Sequence, residues 1–115
     1  MPEQNEQALI SLLTICRKAG RLLLGFDAAA DAMKAEQAKL ILLSSDVSPK
    51  TEKEARFYAG KYGEIPVCAL PFDMSTLALY FRKKTGVLSV TDAGFAAKLM
   101  KMLPESRSGN AEASF

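Results

Sequence analysis

Residues 38–49, with the sequence AKLILLSSDVSP, decide the fold class of this 115-residue chain. The apolar run at residues 40–43 is short and unbroken, which predicts a strand that is buried on both faces of a sheet. Ser48 and Pro49 then predict a helix, because serine caps helix starts and proline suits the first helical position. Proteins of the α/β class often place binding sites at such strand–helix turns. An ordinary turn without a binding role is the alternative interpretation.

A second strand–helix turn follows at residues 87–99, VLSVTDAGFAAKL, where Asp92 or Thr91 is positioned to cap the helix. The spacing of apolar residues predicts five helices, over residues 6–19, 26–35, 49–62, from Asp73 or Ser75 to near residue 86, and 93–103. Strands are predicted over residues 22–24, 40–44, 65–70 and 87–90. Because strands alternate with helices, we expect an α/β protein built as a three-layer α-β-α sandwich.

Composition places the chain among globular proteins, with 49% apolar and 24% charged residues. We expect a single domain over residues 1–103 and a disordered polar tail over residues 104–115. The N-terminal MPEQNEQ is too polar for a signal peptide, and the sequence has no apolar run of the ~20 residues that span a membrane. Cys16 and Cys68 are expected to be buried thiols in a reducing compartment, so we expect a cytoplasmic protein.

Little in the sequence supports catalysis. The chain has no histidine, and its two cysteines have no neighbouring cysteine with which to form a zinc site. Asp46 and Asp92 follow predicted strands and are the one candidate pair of catalytic carboxylates, but a turn and a helix cap explain them more simply. We therefore expect no catalytic residues, no metal and no cofactor.

The net charge of +2 does not by itself indicate a nucleic-acid partner, but the basic residues are clustered. One group surrounds the end of the first helix, a second flanks the exit of the second helix, and a third ends the fourth. The groups are Arg17, Lys18 and Arg21; Lys34 and Lys39; and Arg82, Lys83 and Lys84. Favourable interaction with helix dipoles is one explanation, and phosphate binding is the other.

An ordered series of motifs over residues 8–103 resembles the kink-turn RNA-binding family of ribosomal proteins L-seven-Ae and L-thirty-e. The series runs RKAGR at 17–21, Gly25 before an alanine-rich helix, AKLILL at 38–43, DVSP at 46–49, IPV at 65–67 and Gly86-Val87. VTD at 90–92, GFA at 94–96 and Lys98-Leu99 are similar to the bacterial YlxQ-like branch of that family. The resemblance implies a four-stranded mixed sheet and a partner RNA containing tandem sheared G·A pairs.

The resemblance also implies which residues contact that RNA. The implied contacts are Gly25, Phe26, Asp27, Ala28, Asp46, Val47, Lys84, Thr85, Gly86 and Val87, with auxiliary phosphate contacts from Lys18, Arg21, Lys34, Arg82 and Lys83. Four features depart from the family pattern, and one of them is Leu77-Ala78 in place of a Leu-Gly pair. Leu23 and Leu24 replace two basic residues, Asp27-Ala28 replaces an Asn-Glu pair, and Asp31 replaces a lysine.

The sequence is therefore compatible with two functions. The first is a non-enzymatic protein that binds ribosomal or other structured RNA and works within a ribonucleoprotein. The alternative is a protein-interaction module that keeps the fold and has weak or lost RNA binding. That alternative predicts an exposed apolar patch formed by Leu23, Leu24, Leu79 and Tyr80. The sequence leaves the oligomeric state and the identity of the RNA open.

Overall fold

A mixed four-stranded sheet forms the centre of the computed structural model, which describes residues 2–103. Its strands are β1 (Leu22–Leu24), β2 (Leu40–Leu43), β3 (Val67–Ala69) and β4 (Val87–Val90). The helices are α1 (Pro2–Lys18), α2 (Phe26–Lys34), α3 (Pro49–Lys61), α4 (Met74–Phe81) and α5 (Ala93–Met102). The sheet order is β1-β4-β2-β3, with β4 antiparallel to both neighbours and β3 parallel to β2. The expected polar tail lies outside the described residues.

Both faces of the sheet are covered by helices, which confirms the three-layer sandwich. Leu40 and Leu42 on β2 pack into a cluster with α1, α4 and α5, whereas Ile41 and Leu43 pack into a second cluster with α2 and α3. All four residues of β2 are buried, as the unbroken apolar run predicted. Burying each such side chain stabilises the fold by roughly 1.5–3 kcal/mol relative to leaving it exposed.

Local capping explains where three of the helices begin. The hydroxyl of Ser48 accepts a hydrogen bond from the Thr51 N–H at 3.1 Å, and the carboxylate of Asp92 accepts one from the Phe95 N–H at 2.9 Å. Asp73 caps α4 by accepting from the Thr76 N–H at 2.8 Å, and this hydrogen bond lowers the pKa of the Asp73 carboxyl. The predicted cap at Ser48 is therefore confirmed, and of the alternatives left open the caps are Asp73 rather than Ser75 and Asp92 rather than Thr91.

The fourth helix is shorter than predicted. It ends at Phe81 rather than near Gly86, because Arg82 adopts a left-handed conformation (φ 60°) and its N–H closes the last turn onto the Ala78 carbonyl at 2.8 Å. The basic residues Arg82, Lys83 and Lys84 thus belong to a loop that leads into β4 rather than to the last turn of a helix.

Both cysteines are buried, as expected. Burial, with a smaller contribution from the negative charge of Asp92, raises the pKa of the Cys16 thiol to about 11. A thiol with such a pKa stays protonated at neutral pH and is a poor nucleophile. Within residues 2–103, no helix is both long enough and apolar enough to cross a bilayer.

Candidate nucleic-acid interface

Three loops meet at one end of the sheet because β4 lies between β1 and β2 and runs opposite to both. The chain leaves β1 at Gly25 and leaves β2 at Ser44, and both points lie beside the start of β4. The Gly25 N–H donates to the Val87 carbonyl at 2.9 Å, and the Ser44 N–H donates to the Gly86 carbonyl at 2.9 Å. We call this edge, formed by residues 25–28, 44–47 and 82–87, the rim.

Among the residues that the structure describes, no side chain caps the N-terminus of α2, which lies at the rim. Gly25 occupies the N-cap position with φ 106° and ψ 152°, a conformation that favours glycine, and it has no side chain to accept from the first N–H groups. Those donors and the helix dipole favour an anion. Lys83 adds positive charge there, since its Nζ donates to the Leu24 carbonyl at 3.3 Å.

Close packing joins the loop after β2 to the loop before β4. Asp46 Oδ1 accepts from the Met74 N–H at 3.0 Å, which fixes this loop to the start of α4. A Cβ added to Gly86 would lie 3.1 Å from Val47 Cγ2 and 3.5 Å from Met74 Sδ. The absence of a side chain at Gly86 therefore allows the two loops to approach each other.

The ten residues implied as RNA contacts all lie on the rim but differ in exposure. Three are exposed, five are partly buried and two are buried. The groups are Asp27, Asp46 and Lys84; Gly25, Phe26, Ala28, Val47 and Gly86; and Thr85 and Val87. Thr85 Oγ1 donates to the Val87 carbonyl at 2.8 Å and accepts from the Val87 N–H at 3.3 Å. The buried Thr85 hydroxyl therefore stabilises the conformation of the loop through its hydrogen bonds to the Val87 backbone.

The five auxiliary cations do not lie together. Arg82 and Lys83 lie in the loop of the rim. Lys18 and Arg21 precede β1, at the other end of the sheet from Gly25, where the Thr91 N–H donates to the Arg21 carbonyl. Lys34 ends α2, about 13 Å from the helix start, and its Nζ lies 5.6 Å from the centre of the Tyr58 ring. The rim therefore gathers two of the five.

Two residues of this region were missed by the sequence reasoning. Met74 contributes both its N–H and its sulfur to the packing of the rim, across 28 residues of chain from Asp46. Ser44 is 2% exposed, and its Oγ has no hydrogen-bond partner among the residues that the structure describes. No local pattern marks either residue, because both roles depend on loops that are distant in sequence.

The structure separates Asp46 and Asp92, the candidate pair of catalytic carboxylates. Asp46 follows β2 and Asp92 follows β4, and these two strands are antiparallel, with Leu43 opposite Val87 and Leu40 opposite Val90. The two carboxylates therefore lie at opposite ends of the sheet. They cannot act on one substrate atom, which removes the arrangement that an enzyme using this pair would need.

The predicted apolar patch is wrong as a set of four residues. Leu24 is only 6% exposed and packs in the core, and Leu23 is partly buried against the cluster below α2 and α3. Successive side chains of β1 point to opposite faces of the sheet, and helices cover both faces. Leu23 and Leu24 therefore each pack beneath a helix layer. Leu79 and Tyr80 on α4 are 80% and 54% exposed.

Comparison with known proteins gives relatives that span nearly the whole chain. The RNA-binding protein YlxQ of Enterococcus faecium is 27% identical over 103 residues, which cover 90% of this chain and 98% of that protein. A Bacillus halodurans protein of unknown function is 31% identical, with a TM-score of 0.73, and the match covers 82% of this chain and 94% of that structure.

A more distant solved structure shares the fold. The 15.5 kD RNA binding protein of Giardia lamblia superimposes with a TM-score of 0.67 at 15% identity, over 96% of this chain and 89% of that one. The profile of one family, described as the ribosomal protein L7Ae/L30e/S12e/Gadd45 family, matches residues 7–100. The chain therefore belongs to the ribosomal protein L7Ae/L30e/S12e/Gadd45 family.

Proposed function

We propose that this protein is a non-enzymatic RNA-binding protein that recognises kink-turn or other structured RNA, including ribosomal RNA, through the rim. The observation that carries the proposal is the meeting of three loops around the uncapped start of α2, with Lys83 beside it. The RNA-binding name of the Enterococcus relative supports RNA as the partner. The bacterial and cytoplasmic assignments stay predictions.

Each part of the rim has a chemical role in this proposal. The first N–H groups of α2 bind a phosphate oxygen, as helix N-termini do. The exposed carboxylate of Asp27 accepts a hydrogen bond from a guanine N–H in a sheared G·A pair. Lys84, exposed in the loop before β4, attracts the phosphates around the extruded nucleotide.

The experiment that tests this proposal compares two RNAs across a salt series. One is a short kink-turn RNA, and the other is the same RNA without its G·A pairs. Tighter binding of the intact kink turn at every salt concentration is the expected result. Equal and steeply salt-dependent binding of both would reduce the rim to a phosphate-binding surface. Binding of neither would refute RNA recognition by the rim.

A protein-interaction module remains the second candidate, favoured by one specific observation. Leu79 and Tyr80 are adjacent on α4 and expose large apolar side chains, 80% and 54% of their surfaces respectively. Surfaces of this kind mark protein contacts when they are contiguous and large. If neither RNA binds, a protein partner that binds the native chain but not the Leu79→Ser variant would support this candidate.

A further inference from the structure

A row of aromatic rings leads away from the rim along α3. Phe26, the first residue of α2, lies 5.9 Å from Tyr58, measured between ring centres. Tyr58 lies 5.7 Å from Phe57 and 6.0 Å from Tyr62, and the planes of the two tyrosine rings are within 18° of parallel. We call these four residues the aromatic row. Because Phe26 belongs to both, the row is continuous with the rim.

Only part of the aromatic row is needed by the core. Phe26, Tyr58 and Tyr62 pack their inner edges against the cluster formed below α2 and α3. Phe57 is not part of that cluster, and 62% of its surface is exposed. A single exposed apolar residue needs no explanation, but Phe57 extends a row that is already built.

Lysines flank the aromatic row. Lys34 Nζ lies 5.6 Å from the Tyr58 ring centre, and Lys61 Nζ lies 5.4 Å from that of Tyr62 and 5.9 Å from that of Phe57. A shallow cavity of about 420 Å³ beside Phe57 is lined further by Lys50, Lys53 and Glu54. The other acid of α3, Glu52, is held in an ion pair with Arg56 at 3.0 Å. Among these residues, four lysines therefore lie around the rings with one carboxylate, that of Glu54, outside an ion pair.

We propose that the aromatic row binds unpaired RNA nucleotides that continue from the structured RNA at the rim. Aromatic rings provide stacking platforms for bases of any sequence, and lysines along the same path attract the phosphates. Phe57 is the most exposed platform, and Lys61 is placed to pair with the phosphate beside it. This inference rests on the proposed function, because the structured RNA bound at the rim holds the unpaired nucleotides beside the aromatic row.

The test uses one kink-turn RNA in three forms: without a tail, with a short tail of unpaired adenosines, and with an abasic tail of the same length. Tails are attached to each strand end in turn. The adenosine tail is expected to tighten binding at least about five-fold, the gain from one stacked base, and the abasic tail to tighten it less. Phe57→Ala is expected to remove the difference between the two tails and to leave the untailed RNA unaffected.

Tyr80→Ala is the matched control, because Tyr80 is similarly exposed but lies on α4, outside the aromatic row. It should preserve the gain from adenosines. Phe57→Leu keeps an apolar side chain without a ring, and it should lose the gain as Phe57→Ala does. Thermal unfolding of each variant verifies that the fold is kept.

The outcomes separate this proposal from the proposed function. If adenosine and abasic tails tighten binding equally, or if neither tightens it, nucleotide binding by the aromatic row is refuted. Kink-turn binding by the rim would still stand in that case. If kink-turn RNA does not bind, oligoadenosine alone becomes the probe. Binding of oligoadenosine that Phe57→Ala abolishes would then support the row, and no such binding would overturn it.

Discussion

At the scale of a single residue, Gly25 has a backbone conformation that favours glycine at the start of α2, where the rim is proposed to bind phosphate. Its φ of 106° and ψ of 152° place it where side chains are strongly disfavoured. We expect Gly25→Ala to lower the free energy of unfolding by about 1–3 kcal/mol, measured by urea denaturation. Gly60, inside α3 with open space around it, is the matched control. Gly60→Ala should raise stability by up to about 1 kcal/mol, and an equal loss at both positions would contradict this account.

Lys84 provides the test of non-specific attraction. Because it is exposed in the loop before β4, Lys84→Ala should weaken binding of all RNAs and reduce the slope of log affinity against log salt by about 1. Lys98→Ala removes the same charge from the exposed face of α5 and should leave the slope unchanged. If both variants reduce the slope of log affinity against log salt by the same amount, the protein binds RNA through its overall charge.

Asp27 provides the test of specificity. Asp27→Ala should reduce the ratio of affinities for the intact kink turn and for the RNA without G·A pairs, because the acceptor for the guanine N–H is lost. Asp31, one turn later on α2 and also exposed, is the charge-matched control. Asp31→Ala should tighten binding of both RNAs alike by removing repulsion of phosphate. An unchanged ratio in Asp27→Ala would exclude Asp27 from base recognition.

At the scale of elements, the sequence predicted what local chemistry determines. Ser48 and Asp92 cap their helices through hydrogen bonds to an N–H three residues ahead, so their roles are visible in a short window. The strand at β2 was equally visible as an apolar run. The antiparallel pairing of β2 with β4 was not, because it depends on residues 40–43 meeting residues 87–90. That pairing places Asp46 and Asp92 at opposite ends of the sheet, and it brings together the loops that form the rim.

The end of α4 and the burial of Thr85 were missed for a related reason. Helical spacing alone permits α4 to continue toward Gly86, but the helix ends in a left-handed turn at Arg82, which no pattern of apolar residues marks. Thr85 looks like a surface residue in a basic, glycine-containing loop, yet it is 4% exposed. Positions on the rim were thus predictable from the resemblance, whereas the direction of each side chain required the packed loops.

Ser89 gives a prediction about the central strand β4. It is fully buried between two helix layers, and its Oγ has no partner among the residues described. A buried hydroxyl without a hydrogen bond is destabilising, so Ser89→Ala should leave the free energy of unfolding unchanged or raise it by about 1 kcal/mol. Leu88→Ala, one residue away and equally buried, should instead cost about 2–5 kcal/mol. A comparable loss in Ser89→Ala would reveal a hydrogen bond made by this hydroxyl.

At the scale of the whole molecule, we propose that residues 1–103 fold as one domain. Leu103 is 6% exposed and packs in the cluster that joins α1 to α5. A chain that ends at Leu103 should therefore unfold at the same temperature as the full chain. A chain that ends at Asp92 loses Ala96, Leu99 and Leu103 from that cluster and should unfold at a far lower temperature or fail to fold. Calorimetry of the three chains checks this, and a lower midpoint for the chain ending at Leu103 would mean that residues 104–115 contribute to the folded structure.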